Sequence, residues 1–369
     1  MENQKVLEEL KDVISKQMPD INKMIKDMYE ELHKYSPNIL ICGKSGVGKS
    51  TLINSVFREN IADTGIGKPI TTIIRKYSNE DVPVNIYDTP GFEAGKSENI
   101  EEVINFIVDL NSDTDPNKHI HVMWYCIAGS GARIENGEIE FMKKINESTN
   151  VPVIILLTKC DQDQEETEKL NVEIKKINLP ISNLLIVSAK KNINLDKLIT
   201  ITNQLIPEAF RRAFMNAQIV NIEEKEKASK KYLVGYVSGS AISGFSPVPF
   251  SSWILIVPIQ LTMLIHISII FGLEIDKSII QNLLGGTLST AGATFLGRFL
   301  SNLLKFIPGV GTITGGILDA AVAGSITSAM GLSYIKLLSR LMKSKIKGED
   351  ISSEEMEKII NDELTKKTK

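Results

Sequence analysis

With three cysteines and four histidines among 369 residues, this chain offers no disulfide framework. Cys42, Cys126 and Cys160 are odd in number and lie in or beside apolar strand-like runs, the setting of reduced, buried thiols in a cytosolic domain. His33, His119, His121 and His266 show no metal-ligand spacing. A net charge of −3 supplies no global basic field for nucleic acid, although it does not exclude a local patch or a ribosomal partner. The opening MENQKVLEELKD is too charged for a secretory signal, so a cytoplasmic protein is expected. No internal repeat or low-complexity tract occurs. What is present is globular in composition, 43% hydrophobic and 24% charged, and long enough for two or three domains with cores of their own.

The texture changes along the chain. Residues 1–37 carry Leu7, Leu10, Ile14, Ile21, Met24, Met28 and Leu32 at three- and four-residue steps. This predicts amphipathic helices, split near Pro19–Asp20, that pack on the next domain; a short dimerising coiled coil is the alternative. From 38 to 206, short apolar runs alternate with polar helical stretches. Strands are expected at Asn38–Cys42, Ile73–Tyr77, Val82–Asp88, Ile120–Ile127, Val151–Thr158 and Leu184–Ser188. Helices are expected between them, among them Ile134–Ile145, Glu165–Ile177 and Asn194–Leu205. Such alternation predicts an α/β domain, a mostly parallel sheet with helices on both faces. Residues 207–232 read as a charged helical linker after Pro207. Residues 233–340 read as an all-α hydrophobic domain. Residues 341–369 form a charged tail, ending in a helix capped by Ser352 and Glu355.

Gly43 to Thr51 reads GKSGVGKST, after a strand and opening a helix, as a phosphate-binding loop requires. The residues Gly43, Lys44, Ser45, Gly46, Val47 and Gly48 would curl backbone amides around phosphates, with the helix N-terminus adding positive potential. Lys49 would reach the β- and γ-phosphates, Ser50 would ligate Mg²⁺, and Thr51 continues the helix. The loop alone does not separate ATP from GTP. Val84–Gly91 reads VNIYDTPG, where Asp88 would hold Mg²⁺ through water and the Gly91 amide would sense the γ-phosphate. Thr158, Lys159 and Asp161 lie in TKCD, and Ser188, Ala189 and Lys190 form SAK, each after an apolar strand. Asp161 would accept hydrogen bonds from guanine N1 and N2. Adenine lacks that donor pair, so the carboxylate selects GTP. Each string is weak by itself; in this order, at strand ends, they are strong.

On these motifs residues 38–206 resemble a translation-factor-class P-loop GTPase, closest to the Era-like branch. GKPITTIIRKY, HVMWYCIAGSGARIENGEIEFMKKI and VPVIILLTKCD resemble bacterial and fungal proteins catalogued as ribosome-binding-type GTPases. The resemblance implies hydrolysis of GTP to GDP and phosphate with Mg²⁺, and a switch I near Asn60–Thr72. Either Thr71 or Thr72 would be the Mg²⁺-sensing threonine, so Lys49, Thr71, Thr72 and Gly91 form the expected catalytic set. Three residues depart from the pattern. Thr158 stands where many relatives have Asn, and Phe92 where Ras-like proteins have a water-orienting Gln, which implies slow intrinsic hydrolysis. Gly46 stands where potassium-recruiting Era-like enzymes carry Asn. Hydrolysis would then need an activating partner or a second G domain; Arg75 and Arg133 are candidates in cis, each more ordinary as a surface ion pair. Glu93 is read as a solvated switch residue.

Trp253–Leu273 (WILIVPIQLTMLIHISIIFGL) has no formal charge over 21 residues, about 31 Å as a helix against a hydrocarbon thickness of roughly 30 Å. A second apolar segment, Phe306–Tyr334, repeats the small residues Gly316, Ala320, Gly324 and Ser328 at four-residue steps, which permits close helix packing. Asp319 within it would cost roughly 2.5–3.5 kcal/mol at mid-bilayer. Lys336, Arg340, Lys343, Lys345 and Lys347 follow, a bias that favours both ends on the cytoplasmic side. The region also resembles the hydrophobic domain related to YcjF proteins that is fused to some Era-like GTPases, through Pro247-x-Pro249, Pro258-Ile259-Gln260, Gly272 and Ile307-Pro308-Gly309-Val310-Gly311. A helical hairpin or bundle that engages the cytoplasmic face of a membrane is expected. The alternative is a soluble bundle that gives Gln260 and Asp319 hydrogen-bonding partners, as in a ribosome- or RNA-assembly factor.

Overall fold

The computed structural model describes residues 34–57, 74–79, 82–89, 97–130, 133–238, 253–272 and 320–347, with a few single residues beside them. The expected site residues Thr71, Thr72 and Gly91 lie outside the described residues, as do Phe92, Glu93, Asp319, the first 26 residues and the Ser352–Glu355 cap.

Among the described residues seven strands form one sheet: β1 (Asn38–Cys42), β2 (Lys68–Pro69), β3 (Arg75–Asn79), β4 (Val82–Asp88), β5 (Val122–Ala128), β6 (Val153–Thr158) and β7 (Asn183–Ile186). Their order is β2-β3-β4-β1-β5-β6-β7. From β4 to β7 every pairing is parallel, while β2 and β3 add an antiparallel edge. In the chain helix α1 (Lys49–Val56) follows β1, α2 (Ser97–Asn111) follows β4, α3 (Asn136–Ser148) follows β5 and α4 (Gln164–Ile177) follows β6, while α5 (Leu195–Leu205) and α6 (Glu208–Ala217) come after β7.

The sequence of β1, NILIC, does not alternate in polarity because both its faces are covered, and all five residues are buried. The period-2 geometry still sorts its side chains. Ile39 and Ile41 join a core with Leu52 and Val56 of α1, Leu198 of α5 and Phe214 of α6. Leu40 and Cys42 join a second core on the opposite face with Val103 of α2, Phe141 of α3 and Leu170 of α4. This is the α/β architecture read from the sequence.

Asn38 is the one polar residue of β1, and its side chain is fully used. Its Nδ2 donates to the carbonyls of Asn117 (2.8 Å) and His119 (2.7 Å), and its Oδ1 accepts from Asn85 Nδ2 (2.8 Å). The Asn38 amide donates to His121 Nδ1 at 2.9 Å. That bond requires a neutral imidazole, and burial pushes the His121 pKa down to about 4. The His121 ring lies 4.0 Å from that of Phe210 in α6, and Phe214 packs edge-on against Phe57. The segment expected as a linker, 207–232, is therefore divided: α6 packs into the sheet's core, and the boundary between two compact units falls between Asn221 and Ile222.

The second unit contains, among the described residues, α7 (Ile222–Val237), α8 (Trp253–Phe271) and α9 (Ala320–Lys347). Leu233 and Tyr236 of α7, Met263, Ile267 and Phe271 of α8, and Tyr334 and Leu338 of α9 share one core. α7 and α9 pack so closely that a Cβ on Gly331 would run into Leu233, and Gly324 of the small-residue ridge faces Val237. Several polar groups of α8 find partners inside, while Gln260 Oε1 is buried without one. Ser268 and Tyr334 hydroxyls are 2.6 Å apart, Gln260 Nε2 reaches Thr327 Oγ1 at 3.3 Å, and buried Lys225 Nζ donates to the Ile270 carbonyl at 2.7 Å. That lysine satisfies a carbonyl at the partly negative end of α8. No helix among the described residues is long and apolar enough to cross a membrane.

Candidate nucleotide site

The loop between β1 and α1 needs glycine for two separate reasons. Gly43 has φ 137°, and a Cβ there would overlap the Cys126 carbonyl of the adjacent strand. Gly48 enters α1 at φ 103°, a left-handed conformation that costs L-residues energy. Four carbonyls of this loop are held by donors. Lys49, only 7% exposed, donates from Nζ to Gly43 O (2.6 Å) and Lys44 O (3.1 Å). Lys159 Nζ donates to Gly46 O and Thr158 Oγ1 to Val47 O, both at 2.6 Å. Lys159 is itself left-handed, at φ 58°. A loop whose carbonyls are engaged this way can leave its amides to an anion. Thr158 thus does bridge to the phosphate loop from the position where many relatives have an amide.

Lys44 is tethered as well, to Glu135 at 2.5 Å. Glu135 caps α3 reciprocally with Glu138, whose carboxylate also accepts from the buried Tyr125 hydroxyl at 3.1 Å. No sequence motif pointed to Glu135 or Tyr125. Only the capping-box pattern of Glu135 with Glu138 three residues on would have marked the first.

Asp88 ends β4 opposite Ile41 in the parallel register. Thr89 locks this corner, donating to Ile41 O from its amide (3.1 Å) and its hydroxyl (3.2 Å). Asp88 is 5% exposed, and its Oδ1 has no hydrogen-bond partner. Burial raises the Asp88 pKa, countered by the charge of Lys49, the Thr89 amide and the charge of Arg75. A buried anionic oxygen without a donor suits a hard divalent cation with oxygen ligands. The residues fit Mg²⁺.

At the far end of the site, Asp161 Oδ1 accepts from the buried Ser188 hydroxyl at 2.5 Å, and Ser188 Oγ accepts from the Lys191 amide at 3.2 Å. The Ser188 hydroxyl, chiefly, holds the Asp161 carboxyl below the usual carboxylate range. Ala189 O accepts from Ser55 Oγ of α1 at 3.4 Å, and Lys190 is exposed. The loop residues 43–51, Asp88, the TKCD residues and the SAK residues therefore meet at the carboxyl ends of β1, β4, β6 and β7, where parallel α/β sheets bind ligands.

This strand order, with a lysine-bearing glycine-rich loop after β1 and the TKCD carboxylate after β6, defines a P-loop GTPase domain. The profile of the septin family matches residues 33–237, more than half of the chain, and the chain belongs to that family. It is similar to GTPase Era of Ureaplasma urealyticum (27% identity, 46% of this chain and 55% of that one). It is also similar to GTPase Era of a Thermoanaerobacter species (30%, 46% and 54%) and to cell division control protein 10 of Saccharomyces cerevisiae (27%, 39% and 54%). The chain spans about half the length of these curated relatives. Among solved structures it is similar to Era in complex with MgGDPNP and nucleotides 1506–1542 of 16S ribosomal RNA, at 21% identity and a TM-score of 0.34, covering 47% of this chain and 57% of that one.

Proposed function

We propose that this chain binds GTP with Mg²⁺ and hydrolyses it to GDP and phosphate, acting as a nucleotide-dependent switch. The observation that carries this reading is the continuity of one short segment: Thr158 and Lys159 tie down the phosphate loop, and Asp161, two residues on, is pre-oriented by Ser188. Phosphate binding and base selection are thereby held by the same strand end. Lys49 contacts the β- and γ-phosphates, and amides of residues 43–51 surround them. Asp161 takes guanine N1 and N2, Lys159 lies along the base, and Ser188, Ala189 and Lys190 line the base edge. Ser50 and Asp88 hold Mg²⁺, with Thr71 or Thr72 from switch I, and the Gly91 amide reports the γ-phosphate. Mg²⁺ neutralises charge on the phosphate oxygens when bound.

Phe92 cannot orient water and Gly46 offers no amide oxygen for potassium, so basal turnover is slow and an activating partner or second G domain raises it. The helical unit couples the nucleotide state to a partner, with the cytoplasmic face of a membrane as the finer reading. Support comes from apolar α8 and from the exposed cations Lys336, Arg340, Lys343 and Lys347, which fall on one stripe of α9. Titrating fluorescent GTP and ATP against wild type and Asp161→Ala tests the base; equal wild-type affinities overturn it. Single-turnover hydrolysis across protein concentration, with sodium or potassium, tests activation; many turnovers per second from a dilute monomer contradict the Phe92 reasoning. Sedimentation of the full chain with anionic vesicles tests the membrane reading; a chain that stays in the supernatant in both GDP and GTP states contradicts it.

A further inference from the structure

Arg75 opens β3, a few residues after the expected switch threonines. In the antiparallel register it stands directly opposite Asp88. Opposed residues in such a pair point to the same face, with Cβ atoms roughly 4.5–5.5 Å apart. The next residue, Lys76, turns to the other face, where its ammonium lies 5.4 Å from the Tyr87 ring centre. Of the two neighbouring cations, only Arg75 thus shares a face with the carboxylate. Asp88 is buried and has an oxygen without a donor, whereas Arg75 is exposed and long enough to reach or leave it. The charge of Arg75 acts on the Asp88 carboxyl alongside that of Lys49.

We infer that Arg75 is a positioning residue that competes with Mg²⁺ for Asp88 and so sets the Mg²⁺ concentration at which the chain retains its nucleotide. Without the metal, the charge of the guanidinium partly offsets that of the buried carboxylate across the strand pair. With the metal bound, the same positive charge stands beside a divalent ion and opposes it. A fork of N–H donors suits a carboxylate, which makes arginine a better competitor here than a residue of opposite or no charge. The result is a nucleotide that leaves readily when Mg²⁺ is scarce. This rests on the Mg²⁺–nucleotide reading above.

The experiment loads the full chain with N-methylanthraniloyl-GDP and follows its release from chelated to millimolar Mg²⁺, for wild type, Arg75→Gln, Arg75→Lys and Lys76→Gln. Arg75→Gln is expected to lower the Mg²⁺ midpoint by about twofold to fivefold, the scale of a half-exposed charge interaction. Arg75→Lys should stay near wild type, and Lys76→Gln should leave the midpoint unchanged. Mn²⁺ binding to the GDP-loaded chain, read by electron paramagnetic resonance, should tighten in Arg75→Gln by the same factor. A midpoint that is unmoved or raised in Arg75→Gln overturns the inference, as does an equal fall in Lys76→Gln, which would reflect net charge alone. A wild-type release rate indifferent to Mg²⁺ removes the metal reading as well, and so marks a different failure from one confined to Arg75.

Discussion

Thr158→Val removes one hydroxyl and leaves the side chain's shape. In the wild type that hydroxyl donates to Val47 O at 2.6 Å, with Ile127 O a more distant neighbour at 3.1 Å, and the residue is buried. Valine supplies no donor, so the cost includes both the lost bond and a carbonyl left without it, about 1–3 kcal/mol. The backbone of β6 is unaffected, because Thr158 O still accepts from the Gly129 amide at 2.7 Å. Where that energy appears depends on when the loop becomes ordered. If the loop is ordered before nucleotide arrives, about 1.5 kcal/mol lowers the melting temperature by roughly 3–6 °C in a unit of this size. If nucleotide orders it, the same energy weakens GDP affinity slightly more than tenfold. Melting curves with and without GDP and Mg²⁺, together with fluorescent GDP titration, separate the two. Thr158→Asn, which restores a donor, should recover most of the loss. A valine variant with wild-type melting and wild-type affinity would show that the hydroxyl braces nothing.

Gly43→Ala places a methyl against the Cys126 carbonyl at a strained φ; a loss of about 2–4 kcal/mol and of nucleotide binding is expected, measured by melting and titration. His121 has a folded pKa of about 4 against an ordinary value near 6.5, so the unfolded chain takes up the proton first. Stability is thus full above about pH 6.5 and falls by up to roughly 3 kcal/mol as pH drops through 4; denaturant titrations of wild type and His121→Asn, which keeps an acceptor for the Asn38 amide, should differ in slope over that window. Equal slopes would refute the burial argument. Gln260 makes one long hydrogen bond and buries an unpartnered Oε1, so Gln260→Met should melt at or above the wild-type temperature, and a fall of several degrees would reveal a partner for that oxygen.

Much of the sheet was legible because apolar runs in a parallel sheet announce themselves. Asn38–Cys42, Val82–Asp88 and the Thr158 end of β6 were read to the residue, the other edges of the expected strands moved by one or two positions, and the two-residue β2 was not expected. Edges move because strand ends are set by pairing partners: β5 begins at Val122, after His121 has met Asn38 and the Ile120 amide has bonded Asn111 Oδ1. The phosphate loop was legible for a related reason, since Gly43, Gly46 and Gly48 take positive φ and Lys49 reaches two of its carbonyls. Helix α6 was less so. Its charged sequence, EAFRRAFMNA, resembles a linker, and nothing local shows that Phe210 and Phe214 find places beside His121 and Phe57. The tethers Lys44–Glu135 and Thr89–Ile41 were invisible for the same cause, contacts between residues 48 to 91 positions apart.

β1, the earliest in sequence of the described strands, is the middle of the finished sheet. Neither neighbour of β1 exists when it emerges: Asn38 must wait for Asn85 on one side and for His121, 83 residues later, on the other. Closing a loop of that length carries an entropic cost before any contact offsets it, and pairings so distant in sequence fold slowly. NILIC is therefore synthesised as an apolar segment with two open edges, and it keeps one open edge until β5 has been made. The phosphate loop, hung between β1 and α1, cannot acquire its Thr158 and Lys159 ties until later still. Nucleotide affinity is thus a property of the nearly complete domain, and GTP cannot serve as a template for its early folding.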